Sequence, residues 1–576
     1  GYRITEVDVP GLGAVQRCLK FGRRVDARQH RSPVVRVSLG VHCEGISNPM
    51  CHPHDIPTIV AGVAKRVGRL APVPVRGVKV DYQYNKWRGG QGDGIIRINS
   101  GRISIEGICA FTRNWCKKAL IPLAFDSDTS VGSWLMKSNY PKRRCEALLR
   151  EFNRITNSHI QWDDPFICLI KAFVKDEAYK EYKQARGIYS RSDAFKTLFG
   201  PICKLIENEL YKNDKFAKHI PVEQKPRQIM ERFGIYQGAV GPGLKQRIIG
   251  TDFTAFESHF TPEIMDHIEF ILYDYMTQDL PEHKQFMGMC HRVIAGTNRI
   301  AFHDIHLSLK ACRMSGEMNT SLGNGFTNLM IFLYLTRNCT NVDCLIEGDD
   351  CLGVYFGEEL RLQDYEDLGF TVKIDYYISA NLASFCGQVF DLESLTVITD
   401  PIKIIMNTSW SHAKYVHSNP KTRKQLLRSK AMSCLAQYPG CPVVQEFSNY
   451  LMRMTHGVKR RVDSSESYYR QGEIRNEKFE HKDVSLTSRQ LMSDVFNVTI
   501  DEQIQLELYF KNLHKIGPLT HPVIYAHATD EQFDYNARYV MPMSGAMFHF
   551  GYDTMPTINT IVIRDLLNVW KSEKTK

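Results

Sequence analysis

Between Val342 and Phe356 the chain is apolar, turns, and is apolar again: Val342-Asp343-Cys344-Leu345-Ile346, then Glu347-Gly348-Asp349-Asp350, then Cys351-Leu352-Gly353-Val354-Tyr355-Phe356. Two short apolar runs around a glycine–acid turn predict a β-hairpin with Asp349 and Asp350 at its tip. Ile248-Ile249 predicts a second strand, ended by Asp252-Phe253-Thr254-Ala255-Phe256-Glu257, and Thr261-Pro262-Glu263 then opens a helix with proline at its first position. Asp252 therefore falls at a strand end, where its side chain can project toward a neighbouring hairpin. Gly325 to Leu335 reads as a buried helix too short to span a membrane. Thr320 and Asn324 are four apart, so on a helix they would share one face. Tyr365 to Ile374 predicts a helix end, a turn at Gly369 and a short strand carrying Lys373.

Glycine–aspartate pairs are ordinary turn chemistry, so the hairpin alone decides nothing. Two adjacent acids on a turn repel one another, however, and are costly unless something cationic sits between them and a partner acid. Asp252 is the natural partner, and a pair of divalent ions is the natural cation. Hard carboxylate oxygens suit Mg²⁺ or Mn²⁺. Asp252 and Asp349 are the expected ligands, with Asp350 assisting.

Three segments in this order, Asp252 to Glu257, Ser315-Gly316-Glu317-Met318-Asn319-Thr320-Ser321-Leu322-Gly323-Asn324, and Gly348-Asp349-Asp350, resemble the palm motifs of RNA-dependent RNA polymerases of positive-strand RNA viruses. The flanking text most resembles tombusvirus-like and nodavirus-like enzymes, over roughly Trp134 to Asp391. The resemblance implies an α+β right-hand architecture of fingers, palm and thumb, with an antiparallel palm sheet packed on helices. It also implies two-metal nucleotidyl transfer to an RNA 3′ end, replicating a viral genome. By the same resemblance the Phe253 carbonyl adds a metal ligand. Glu257 departs from the family, which carries aspartate there. With Ser315 and Asn324 it would form a polar network that tests the nucleotide 2′-hydroxyl, and Thr320 joins the nucleotide site. Lys373 matches a lysine near the pyrophosphate, a possible general acid, although one lysine on a strand is commonly just solvated. The loop at Gly316 would shift the template, and Ser384-Phe385-Cys386-Gly387 would grip the growing strand. Val131 to Arg144, with Trp134 and Tyr140 among basic residues, would line the template path; a basic surface helix is the plainer reading.

Two segments compete to face the triphosphate. One is Lys225-Pro226-Arg227 with Arg232. The other is Phe173-Val174-Lys175-Asp176-Glu177 followed by Lys183, Arg186 and Arg191, then an acidic helix ending in Tyr211. The resemblance favours the second, which supplies the lysine–acid pair, the spaced arginines and the helix in the family's order.

Composition adds little. The chain has 576 residues, 43% hydrophobic, and a net charge of +10 from 73 basic and 63 acidic residues. That is enough for several cores, and the positive excess is compatible with a nucleic-acid partner. Basic clusters at 421–424, 428–430 and 459–461 would contact the exiting duplex or simply be solvated. Sixteen scattered cysteines without CxxC pairs fit reduced thiols. The group His42, Cys43, Cys51, His52 and His54 matches no familiar zinc spacing. The expected division is an N-terminal extension over 1–110 bridging fingers and thumb, fingers over 111–245 with an insertion at 277–308, palm over 246–276 and 309–400, and thumb over 401–576. Expected partners are the RNA template and product duplex, NTPs, other viral replication proteins and host membranes, the last through another segment or protein. The expected location is the host cytoplasm, at membrane-associated replication complexes. A start at Gly1 rather than methionine suggests a product of something longer. A non-catalytic RNA-binding scaffold would lack some of the aspartates. A two-metal nuclease would be expected to place histidines among the motifs. A reverse transcriptase would share the palm, but Asn324 after the Ser-Gly loop points to ribonucleotides.

Overall fold

The computed structural model describes most of residues 103–461 and 481–527, together with 4–6, 20–24, 37–43, 50–51, 56–69 and 71–76; within the long stretches it excludes 139, 165–166, 168, 176, 180–183, 234–244, 303–304 and 416. The fold is a mixture of helices and sheets. The predicted hairpin is present, as Thr340–Glu347 and Asp350–Phe356, and it belongs to a four-stranded sheet. Gln246–Phe253 lies beside the hairpin and Val372–Tyr377 beyond it, every pairing antiparallel.

This sheet is buried on both faces, which is why Cys351 to Phe356 reads as one apolar run rather than an alternation. One face places Ile249, Phe253, Cys344, Ile346, Cys351 and Tyr355 against a large helical core. The other places Ile248, Leu345, Leu352 and Val354 against Ile229, Phe233 and the hairpin around Phe385 and Phe390. The helix Thr320–Leu335 crosses the first face so closely that a Cβ on Gly353 would stand 2.5 Å from the Phe332 ring. Glycine is therefore required there by approach distance.

A second, six-stranded sheet runs in the order Ile4–Glu6, Lys20–Arg24, Ile305–Lys310, Thr297–Phe302, Leu169–Val174, Gly187–Arg191. The strands at 297–310 lie in sequence between Asp252 and Ser315, yet Thr297–Phe302 pairs with Leu169–Val174, which in turn pairs with Gly187–Arg191. The inner face, with Ile170, Tyr189, Ile300, Phe302, Leu307 and Leu309, packs on Val63 and Val67 of the segment around helix Ile56–Arg66.

Toward the C-terminus, Pro420–Gln437, Val444–Met454, Leu486–Phe496 and Ile500–Asn512 share a third core with Leu39 and Val41. Segments from the first 110 residues reach several parts of the molecule. Val37–Ser38 pairs with Trp410–Ser411, His42–Cys43 with Pro518–Leu519, and Met50–Cys51 with Ala178–Tyr179. His42 and Cys43 thus sit in a different strand pair from Cys51, while His52 and His54 lie outside the described residues.

Buried charge ties the six-stranded sheet to the Ser-Gly loop and to the helical segment Met265–Glu269. Arg191 of the six-stranded sheet pairs with Glu317; Arg313 pairs with Glu317 at 3.5 Å and with Glu269; all four side chains are fully buried. Asn298 accepts from Arg191 at 2.8 Å, and Tyr273 and Asn319 donate to Glu269 at 2.5 and 3.0 Å. Removing one member of such a network strands a buried charge. Glu317→Ala, which leaves Arg191 and Arg313 short of a carboxylate, should cost about 3–5 kcal/mol of stability, read as an earlier urea midpoint.

Candidate active site

The tip of the hairpin is a two-residue turn. Glu347 stands opposite Asp350, and Gly348 adopts a φ of +63° as the first central residue, the conformation of a type II′ turn. Asn328, on the helix Thr320–Leu335, donates from Nδ2 to the carbonyls of Gly348 and Asp349 at 3.2 and 3.0 Å. That clamp fixes the backbone that presents the two acids. Sequence reasoning did not single out Asn328; its place in an apolar helix, where an amide needs a partner, was the available signal.

Register brings Asp252 to the same place. Cys351 is opposite Thr251, so Asp350 and Asp252 stand one step beyond the last paired residues. On the other side Lys373 is directly opposite Asp252. Phe253 anchors the strand end by packing its ring 4.3 Å from Phe256 and 5.9 Å from Phe370, centroid to centroid. The chain between 252 and 257 therefore has a fixed root although Asp252 itself is exposed.

The carboxylates sense one another. Asp349 is exposed at the turn; desolvation, then Glu257 and Asp252, push its carboxyl above the ordinary range, with Arg66 opposing. Asp350 rises to about 6 through burial, then the charges of Asp349 and Asp252, with Cys386 opposing as a hydrogen-bond partner. Lys373 is pulled upward by Asp375, whose Oδ1 lies 2.8 Å from Nζ. Among the described residues no group of three or more His, Cys, Asp or Glu side chains is arranged to hold an ion by itself.

Around these acids the expected nucleotide network takes a different form. Glu257 pairs with Arg66 at 3.5 Å, and its carbonyl accepts from the Arg313 backbone at 3.0 Å. Asn324 is buried and accepts from Arg313 Nε at 3.1 Å. Arg313 thus links Glu257 to Asn324. Ser315 Oγ instead accepts from the Tyr189 backbone at 3.3 Å, Gly316 N donates to Tyr189 O at 2.8 Å, and Thr320 donates to Met314 O at 2.9 Å. These contacts tie the Ser-Gly loop to the six-stranded sheet. Arg66 and Arg313 were missed from sequence: neither belongs to a spacing pattern, and only the tertiary packing gives them partners.

Other expected residues sort by exposure. Lys175 and Arg186 share Glu177 at the end of the six-stranded sheet; Lys183 lies outside the described residues. Arg191 differs from the expectation: it points into the core, pairs with Glu317 and stacks 5.0 Å over Phe195, so it is not offered to a triphosphate. Strand alternation explains this, because Arg191 shares the inward face with Tyr189. Trp134 is likewise buried, packed with Leu135, Leu148 and Tyr140, rather than lining an open groove. Phe385 is buried beneath Lys225, and the two-residue turn Cys386-Gly387 has φ of +54° and +71°. That turn approaches the acids, with Cys386 Sγ 3.7 Å from Glu347.

The raised Asp350 carboxyl has a signed consequence. The folded chain holds this proton more tightly than the unfolded chain, so stability falls as pH rises from about 4 to about 6 and stays reduced above. Asp350→Asn should therefore be more stable than the parent at pH 7.5 in metal-free buffer, by on the order of 1 kcal/mol after allowance for solvent access. The difference should vanish at about pH 4, as thermal melts across pH would register.

Comparison with known proteins agrees with this geometry. The profile of the family described as "Viral RNA dependent RNA polymerase" matches residues 210–516, more than half of the chain. The chain is 26% identical to the RNA-directed RNA polymerase of Turnip crinkle virus over 60% of its own length and 46% of the relative's. It is 25% identical to that of Carnation mottle virus (61% and 47%) and 23% identical to that of Tobacco necrosis virus strain A (67% and 55%). The chain spans about half the length of these curated relatives. The matched region contains all three acids, Asp252, Asp349 and Asp350, and the helix that clamps their turn. With that match, this chain belongs to the family of viral RNA-dependent RNA polymerases.

Proposed function

We propose that this chain performs RNA-templated RNA synthesis by two-metal nucleotidyl transfer, replicating a positive-strand viral genome. The observation that carries the reading is the register that brings Asp252 beside the Asp349–Asp350 turn, where burial and then the neighbouring acids raise the carboxyls of Asp349 and Asp350. A site that concentrates negative charge in this way favours a cation.

The donor set fits Mg²⁺ or Mn²⁺. Its oxygens are hard, and Mg²⁺ commonly binds through one or two carboxylates while phosphates and waters complete its shell, so a closed protein cage is unnecessary. Asp252 and Asp349 would hold the ions, with Asp350 and the Phe253 carbonyl assisting. When bound, such ions supply the charge that activates a 3′-hydroxyl and neutralises departing pyrophosphate.

The remaining groups position and donate. Lys373, held protonated beside Asp375, is the group that would give a proton to the leaving pyrophosphate when phosphate charge holds it nearby. Lys175 and Arg186, with Lys183, meet the triphosphate. Glu257, Ser315, Thr320 and Asn324 select the ribose, the first and last sharing Arg313 as their link. Gly316 and the Cys386-Gly387 turn, with Phe385 as its buried root, border the RNA, and Tyr140 lies farther along the template path beside the buried Trp134.

The right-hand architecture assigns the four-stranded sheet to a palm over 246–276 and 309–400. Fingers occupy 111–245, joined by the insertion 277–308, the thumb occupies 401–576, and the first 110 residues link fingers to thumb. Strand pairings from that N-terminal part to both regions support the arrangement. The template, product duplex and NTPs are the proposed partners. Association with other viral proteins and host membranes in the cytoplasm is proposed through another segment, since among the described residues no helix is long and apolar enough to cross a membrane.

Purified chain with Mg²⁺ or Mn²⁺, an RNA template and NTPs, with and without a primer, should make complementary RNA. Asp349→Ala should reduce incorporation at least about a thousandfold while leaving RNA binding within a few fold. Unchanged synthesis by that variant would reject the assignment.

A further inference from the structure

The six-stranded sheet has a face that the core does not use. In Leu169–Val174 and Thr297–Phe302 alternate residues are exposed: Leu169, Lys171 and Phe173 on the first, Thr297 and Arg299 on the second. Register aligns them. Arg299 is opposite Leu169, Ala301 opposite Lys171, and Lys310 of the next strand opposite Thr297. Lys171, Arg299, His306 and Lys310 are exposed, and Phe173 retains 52% exposure.

Charge on this face is one-sided. Among the described residues Lys171, Arg299 and Lys310 have no ion-pair partner. Asp193 lies close enough to Lys171 to feel its charge, but its carboxylate is bidentate to Arg144 at 2.6 and 2.7 Å, with Lys196 at 3.9 Å. Glu177, at the other end, is shared by Lys175 and Arg186. Lys142 and Arg143 are exposed on the helix that carries Arg144, extending the basic surface. The same sheet reaches the candidate active site, because Tyr189 holds both Ser315 and Gly316 through its backbone.

Spaced cations around an accessible aromatic ring on a sheet match a flexible polyanion with stackable bases. We propose that this exposed sheet face is a landing surface for single-stranded RNA outside the catalytic cleft, with Lys171, Arg299 and Lys310 taking phosphates and Phe173 stacking on a base. This rests on the RNA-templated reading above and adds a binding surface to it. Single strands suit the face better than duplex, because only they expose the bases that Phe173 can stack on.

The test is salt-dependent binding of a fluorescein-labelled, unstructured single-stranded RNA of about 20 nucleotides. The triple variant Lys171→Ala, Arg299→Ala, Lys310→Ala should flatten the slope of log affinity against log salt by about 2, the value for three lost phosphate contacts on a single strand. Phe173→Ala should lower affinity about fivefold or more without changing the slope. The charge-retaining set Lys171→Arg, Arg299→Lys, Lys310→Arg should bind like the parent, which separates charge from folding. Incorporation on a short template supplied at saturating concentration should be unchanged in the triple variant. An unchanged slope in a folded triple variant overturns the proposal. So does a loss confined to duplex RNA or to anionic phospholipid vesicles run in parallel. Absence of incorporation by the parent chain would instead count against the polymerase reading, so the two failures are distinguishable.

Discussion

Repulsion among three carboxylates is the constraint around which this molecule is arranged. Asp349 and Asp350 are adjacent on a tight turn, and strand register sets Asp252 beside them. Left alone, such a group would spread apart or take up protons, and the carboxyls of Asp349 and Asp350 are raised by burial first and by the neighbouring acids second. The surrounding structure prevents the spreading. The sheet is buried on both faces, the Asn328 amide holds both carbonyls of the turn, and the Phe253 cluster roots the strand that carries Asp252. On the proposed reading, a cation from solution relieves the repulsion.

A second tier of charge sits behind the first and is balanced within the protein. Arg191, Glu317, Arg313 and Glu269 lie with their side chains fully buried. Buried ion networks add little net stability relative to apolar packing, but they penalise misplacement strongly. Here that penalty falls on the junction between the six-stranded sheet, the Ser-Gly loop and the helix bearing Asn324. Each contributes a residue near the acids, so relative placement matters more than strength. Arg66 completes the picture from the N-terminal part, opposing the charge of Glu257 and Asp349.

The Asp349–Asp350 hairpin, its partner strand and the helix after the Ser-Gly loop were legible because each is short, strongly patterned and punctuated by glycine or proline. The strand register that sets Asp350 and Lys373 on either side of Asp252 is a finding of the structure. Sequence reasoning stopped where a charge could be either displayed or buried. Arg191 reads like a phosphate ligand, yet strand alternation turns it inward toward Glu317. Trp134 reads like part of a basic–aromatic groove, yet it fills a small core with Leu135 and Leu148. Arg66 and Arg313 were not singled out for the converse reason: Glu257 and Glu269, which give them partners, are far away in the sequence and come near only after folding.

The central claim is that Asp252 and Asp349 serve the same cations. Anomalous scattering from Mn²⁺ in crystals grown with template and a non-hydrolysable NTP tests it most directly. The account predicts a peak bounded by carboxylate oxygens of both residues. Manganese held by only one of them, with the other facing away, would contradict it.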